Sequence, residues 1–253
     1  MTVELRGRDR RRAAPLFAAF PALPGTVAAG LSGEFGELRV DDAERPTVAH
    51  LRLDFEILVG DPRAPVAEEM LRALPDRPWI IAPIEWEPLL RSALGKGLTR
   101  YERTVFRAAP SDRDRLASFV RALPSGYRLL RVSAAEVERF AAFDDSLVKC
   151  FRDHEHFLAA GFGFAVEHDG EIVAGCSSFT EADGRVEIEI DTAKHHRRRG
   201  LALATGSALV LHCLDRDLVP CWDAANEASA RLASRIGFSD SLTYPAWFIK
   251  TSG

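Results

Sequence analysis

Residues 185 to 214 constrain the fold more than any other stretch, because a strand pattern there runs into a basic turn and then an apolar helix. In Arg185–Thr192, Val186, Ile188 and Ile190 alternate with Glu187, Glu189 and Asp191, the period of a strand with one buried face. The run Lys194-His195-His196-Arg197-Arg198-Arg199 follows, and Gly200 opens the helix Leu201–Leu214, which holds no Asp, Glu, Lys or Arg. Cations at a helix N-terminus oppose its macrodipole unless an anion sits there. The free N–H groups of the first turn are suited to that anion, and the small Gly200 and Ala202 allow it close approach. The turn therefore reads as a diphosphate cradle. A solvated charge run capping the helix is the other reading these residues permit. Neither GxxxxGK[ST] nor GxGxxG after a strand is present.

The rest of the chain alternates strands and helices. Strands are expected at Glu37–Val40, Thr47–Leu53, Ile57–Val59, Trp79–Ala82 and Leu98–Ala108, with helices at Ala13–Phe20, Ala64–Leu74, Glu85–Leu94 and Ser111–Leu123, the last capped by Ser111. Pro124-Ser125-Gly126 is the expected boundary, giving an α/β domain over 1–125 and a second domain over 126–253. Beyond it come the strand Tyr127–Val132, the helix Ala134–Phe143 and a helix within Asp153–Ala160. Turns at His168-Asp169-Gly170 and Ala182-Asp183-Gly184 join three strands ending at Thr192. After the apolar helix, Leu218–Trp222 reads as a strand, Asn226–Ile236 as a helix, and Phe238 to Ile249 as one or two strands. The fold class is α+β, a mixed, mostly antiparallel sheet flanked by helices. No internal repeat is visible.

A net charge of -4 argues against a general nucleic-acid binder. Leu201–Leu214 is too short to span a bilayer, so no membrane partner is expected. Residues 13–33 are uncharged, but Pro15, Pro21 and Pro24 break the helix a secretion signal needs. The 4 cysteines, Cys150, Cys176, Cys213 and Cys221, form no CxxC pair and read as reduced thiols of a cytoplasmic protein. His154 and His156 diverge on a helix, and no metal site is expected.

Arg197-Arg198-Arg199-Gly200-Leu201-Ala202 resembles the R/Q-x-x-G-x-G/A signature of the GCN5-related N-acetyltransferase (GNAT) superfamily, on the strand–turn–helix that family uses. Asn226 followed by Gly237-Phe238 is similar to the family's downstream N…GF block. Glu187–Thr192 together with Trp222–Asn226 resembles more narrowly the subgroup of zwittermicin A resistance proteins. The resemblance covers about residues 127 to 250. It implies acetyl-CoA as donor, its pyrophosphate on the main-chain amides of Arg198, Arg199, Gly200, Leu201 and Ala202, with the side chains of Arg197, Arg198 and Arg199 near the phosphates. It implies that the pantetheine arm enters a splay between Arg185–Thr192 and Leu218–Trp222, pairs with Ile190, Asp191 and Thr192, and lies beside Asn226. Asn226 can also be a plain helix cap.

Acyl transfer needs a neutral amine and hence a proton acceptor. Glu187, Glu189 and Asp223 are the candidates; alternation puts both glutamates on one face unless a bulge intervenes. Many family members carry a tyrosine in the last motif helix to protonate the leaving thiolate. Ala233 stands at that position here, so either Tyr244 substitutes or the thiolate leaves without an acid. The expected acceptor is the primary amine of a small molecule, such as an amine-bearing antibiotic. A protein or peptide N-terminus and a non-catalytic CoA sensor are the alternatives. The N-terminal half reads as a lid, a docking module or a degenerate copy, in a monomer or homodimer.

Overall fold

The computed structural model describes residues 2–76 and 78–249. The chain begins with β1 (Val3–Leu5), α1 (Ala14–Ala18), α2 (Pro24–Ser32), β2 (Glu37–Val40), β3 (Val48–Arg52), β4 (Glu56–Gly60), α3 (Pro65–Arg72), β5 (Trp79–Ile81), α4 (Glu87–Leu94) and β6 (Leu98–Ala108). A single helix, α5 (Arg113–Arg121), intervenes. Then come β7 (Tyr127–Arg131), α6 (Val137–Phe143), α7 (His154–Ala160), β8 (Gly163–His168), β9 (Glu171–Ala182), β10 (Arg185–Thr192), α8 (Leu201–Asp215), β11 (Val219–Ala224), α9 (Glu227–Ile236) and β12 (Ser239–Ile249). On either side of α5 the order is the same: strand, two helices, three strands, helix, strand, helix, strand. The chain thus repeats a supersecondary plan that no sequence repeat announces. Burial pattern, which many sequences satisfy, is what the plan requires.

Two compact units result. One comprises the chain up to Val105 and from Leu242 onward, the other Phe106–Ser241. The expected boundary at Pro124–Gly126 is therefore displaced, for two packing reasons. Leu116 of α5 is fully buried with Phe106, Leu209 and Phe238 in the second unit, and Ala246–Phe248 of β12 pair antiparallel with Trp79–Ile81 of β5 in the first.

The first unit's sheet runs β1-β2-β3-β4-β5-β12-β6, and among its described pairings from β1 to β12 only that of β4 with β5 is parallel. The second unit's runs β11-β10-β9-β8-β7, parallel only between β10 and β11. Both match the mixed, mostly antiparallel expectation. In the first unit Arg10 is buried, its guanidinium donating to the carbonyls of Leu5, Gly30, Phe35 and Gly36. Its charge is matched by carbonyl dipoles where the chain converges, which offsets its desolvation.

In the second unit α8 is buried at Leu201 and from Leu203 through Val210, so its apolar run needs no membrane to explain it. A Cβ at Gly206 would lie 2.8 Å from Ile236 Cδ1 and 3.5 Å from Ile190 Cδ1, so α8 packs tightly on α9 and β10. The start of α8 is thereby held against the strand that precedes it. Among the described residues no helix is long and apolar enough to cross a membrane.

Two local expectations change, and one alternative is settled. Helix α2 starts at Pro24, whose fixed φ suits a first turn, in the part of the uncharged stretch beyond Phe20, where no helix was expected. Asp112, not Ser111, caps α5, accepting from the Arg115 N–H at 3.0 Å. The C-terminal segment, expected as one or two strands, is one.

Candidate active site

β10 and β11 pair only over Arg185–Glu187 and Val219–Cys221. β10 continues to Thr192 and β11 to Ala224, so the two strands part after Glu187. The antiparallel ladder with β9 persists through Thr192 opposite Ala174. Along Ile188–Thr192 the main-chain groups facing β11 therefore have no ladder partner across the gap. Backbone polar groups removed from water need a partner, which suits a ligand carrying amides.

A bulge falls between Glu187 and Ile188, where Glu187 faces Thr180 and Ile188 faces Ser178. The extra residue is Phe179 on β9, so alternation along β10 is preserved. Val186, Ile188 and Ile190 pack with Leu203, Leu209 and Trp222. Glu187 and Glu189 share the opposite face, and the parallel register puts Cys221 and then Asp223 of β11 on it too. Glu187 and Asp223 are buried there, and Glu189 is half-buried.

The turn that follows is moored at both ends. Ala193 N–H donates to Val173 O at 2.9 Å and His196 N–H to Ala193 O at 2.8 Å. Tyr127 Oη and His196 Nδ1 share a hydrogen bond of 3.0 Å, with the Tyr127 ring stacked on His168. Arg197 donates from Nε to Thr192 O at 2.8 Å and from a terminal nitrogen to Asp191 Oδ1 at 3.3 Å. Its guanidinium thus reaches back to the end of the strand, while Arg197 still lines the cavity at the mouth of the gap. Arg198 and Gly200 both have left-handed backbones, φ 64° and 82°. The glycine adopts this freely; the arginine does so at a cost of about 1–2 kcal/mol. Strain of that kind clusters where ligands bind. Both residues are exposed rather than packed beneath other segments.

The mouth of the gap is a cavity of about 400 Å³ lined by Ile190, Asp191 and Thr192, by Arg197, Arg198 and Gly200–Leu203, and by one face of α9. The structure brings together nearly all of the expected cofactor residues; Arg199 is exposed and outside the lining. Asn226 lines it while also capping α9, its side chain accepting from Ser229 N–H at 3.0 Å. Sequence reasoning missed Ser229, Leu232 and Arg235, whose i, i+3 spacing from Asn226 marks one helix face.

A sequence model described as GNAT acetyltransferase matches residues 15–247. The chain belongs to the GNAT acetyltransferase family. A crystallised GCN5-related N-acetyltransferase-like protein from Streptococcus suis 89/1591 is 29% identical, with a TM-score of 0.86 over 94% of this chain and 97% of that one. An uncharacterized N-acetyltransferase, YdfB, from Bacillus subtilis (strain 168) is 27% identical over 166 residues. That match spans 64% of this chain and 62% of the relative's length. A tandem GNAT protein from the clavulanic acid biosynthesis pathway shares the fold over 100% of this chain, with a TM-score of 0.57 at 14% identity.

The GNAT match spans both units, so the first unit belongs to the family pattern and is not an unrelated appendage. Its counterpart of the basic turn, residues 61–64, is short and holds one cation, Arg63, paired with Asp61. Its counterpart of Asn226 as the residue before the helix is Trp86, fully buried and donating from Nε1 to Gly60 O at 3.1 Å. An indole therefore occupies the end of β4, where the second unit leaves the end of β10 open.

Two expected catalytic positions are resolved in this frame. Tyr244 is not brought to the cavity: it is buried in the first unit's core, edge-on to Phe20 at 5.4 Å. Ala233 is buried under α9, and no tyrosine is among the cavity's lining residues. Three of the thiols, Cys176, Cys213 and Cys221, are buried. Burial pushes Cys213 and Cys221 up to about 12 and holds Cys176 well above the ordinary thiol range, so these three stay protonated at neutral pH. Among the described residues no group of His, Cys, Asp and Glu could hold a metal ion.

Proposed function

We propose that this GNAT chain transfers an acetyl group from acetyl-CoA to a primary amine of a small molecule, by direct attack with donor and acceptor bound together. The observation that carries the reading is the parting of β10 from β11 beside a cationic turn at the start of α8. A gap edged by unpaired main-chain groups suits an amide-bearing arm, and the adjoining helix N-terminus suits its diphosphate. The amides of Arg198–Ala202 would hold the diphosphate with the Arg198 side chain. Ile190–Thr192 and Asn226 would flank the arm.

Bound acetyl-CoA supplies an activated acyl carbon, to which the amine nitrogen bonds as the carbon–sulfur bond breaks and the amine proton passes to a carboxylate. Glu187, Glu189 and Asp223 share the sheet face where the strands part, although none is among the cavity's lining residues, and that shared face supports a carboxylate there, directly or through water, as the proton acceptor. With no tyrosine in the lining, the thiolate leaves without a protein acid; a CoA thiol is acidic enough to allow it.

Ala233 and the lining without tyrosine favour one second reading, a CoA-binding sensor without turnover. A thiol-release assay with acetyl-CoA separates the two, run against small amines, aminoglycosides and peptide N-termini. Release stimulated at least tenfold by a small-molecule amine supports the transferase. Preferred turnover of peptides would reassign the acceptor, and tight CoA binding with no turnover on any amine would leave the sensor.

A further inference from the structure

Among the charged residues that line the cavity, Arg235 is held neither by the strand end, as Arg197 is, nor by a place on the proposed diphosphate seat. It lies in the last turn of α9, exposed, and its guanidinium has no carboxylate within ion-pair distance among the described residues. Its own helix offers none: the residue one turn back is Arg231, which is paired with Glu227. A cation in a last turn is favoured by the helix dipole, which accounts for a basic residue there. It does not account for that residue facing the cavity. Meanwhile Arg115 caps the same end through the Arg235 carbonyl at 2.9 Å, so the side chain is not needed as a cap.

The lining has an order. Asn226 stands at the start of α9, beside the mouth of β11, and Arg235 near its end. At about 1.5 Å per residue the two are about 13 Å apart along the helix. Gly200–Ala202 supply the helix N-terminus that answers one anionic group, and Arg198 stands beside it. Arg197 reaches back to Asp191 and Thr192. That leaves an unpaired guanidinium at the end of the cavity remote from the strand gap. CoA carries its groups in the matching order: an uncharged amide arm, the diphosphate, then a separate phosphate on the ribose.

We infer that Arg235 recognises the ribose 3′-phosphate of the donor and makes the site selective for CoA over its 3′-dephospho form. This rests on the proposed CoA site. An exposed charge-assisted contact of this kind is worth about 1–2 kcal/mol, or roughly 5- to 30-fold in affinity.

The test is calorimetric titration of the intact protein with CoA and with 3′-dephospho-CoA, for wild type, Arg235→Ala and Arg235→Lys. Wild type should prefer CoA by roughly 5- to 30-fold, Arg235→Ala should bind both ligands as wild type binds dephospho-CoA, and Arg235→Lys should keep part of the preference. The preference should shrink with added salt. Equal wild-type affinities, or an alanine variant that keeps the full preference, would overturn the assignment while leaving the CoA site standing. So would an alanine variant weakened equally toward both ligands, which would place Arg235 on the diphosphate. Binding of neither ligand by wild type would instead defeat the CoA reading itself and this inference with it. Arg235 lies outside the hydrophobic core, so its variants should fold as wild type does, and a thermal melt checks this.

Discussion

Arg197 donates to the carbonyl of Thr192 at 2.8 Å and so ties the basic turn back to the strand it has just left. The motif's first arginine is thus a positioning residue. Arg197→Ala should free the turn and weaken CoA binding by roughly fivefold, with the thermal midpoint nearly unchanged because the pair is exposed. Arg197→Lys should rescue little, since an ammonium lacks the planar fork that reaches both Thr192 O and Asp191. Calorimetry on the two variants checks this, and full rescue by lysine would mean that the charge alone matters.

Asn226 has a cap role and a proposed ligand role, which substitution can separate. Asn226→Ala should cost about 1 kcal/mol through the lost cap and lower the melting point by about 2–4 °C. Asn226→Asp keeps the cap, so stability should hold while affinity for CoA falls from the added negative charge beside its arm. Melting curves and titrations on both variants are the measurement. A stable aspartate variant with unchanged affinity would leave Asn226 as a cap only.

Trp86 closes in the first unit the place that stays open in the second. CoA should therefore bind with a stoichiometry near one per chain. Trp86→Ala should destabilise the protein by about 3–5 kcal/mol, the cost of a large core truncation, measured by urea unfolding. A stoichiometry of two in wild type would contradict the closed first unit.

Acid sensitivity is built into the hairpin of β3 and β4. Burial pushes the Glu56 carboxyl up, but the hydrogen bonds and charges of His50 and Arg52 outweigh it and hold the group below its ordinary value of 4.5. A depressed folded value means the unfolded chain binds more protons, so the contribution is complete above about 4.5 and is lost as pH falls through the folded value. Glu56→Gln should cost about 2 kcal/mol at pH 7, with the gap to wild type narrowing below that window. Urea midpoints across the acid range check the sign; a gap that widens on acidification would reverse it.

The alternation of Arg185–Thr192, the basic run and the small residues at Gly200 and Ala202 made the cavity's floor legible in the sequence, because strand period and helix-start chemistry are local. The acids' shared face was legible for the same reason, since the bulge falls on β9 at Phe179 and leaves the period of β10 intact. What stayed hidden is set by distant packing. The bond of Arg197 back to Thr192 is not written in the motif. Tyr244 reads as available until β12 is found paired with β5, with its ring against Phe20. The duplicated element order left no repeat because a plan needs only apolar positions at the right period, and Trp86 and Asn226 show how far equivalent positions can diverge.

The central claim is that the main-chain N–H groups from Arg198 to Ala202 hold a diphosphate. A crystal structure of the protein with CoA tests it most directly. The expected result is phosphate oxygens within hydrogen-bond distance of those amides and the amide arm entering between β10 and β11. CoA seated elsewhere on the chain, or a cavity still empty after soaking at millimolar concentration, would contradict it.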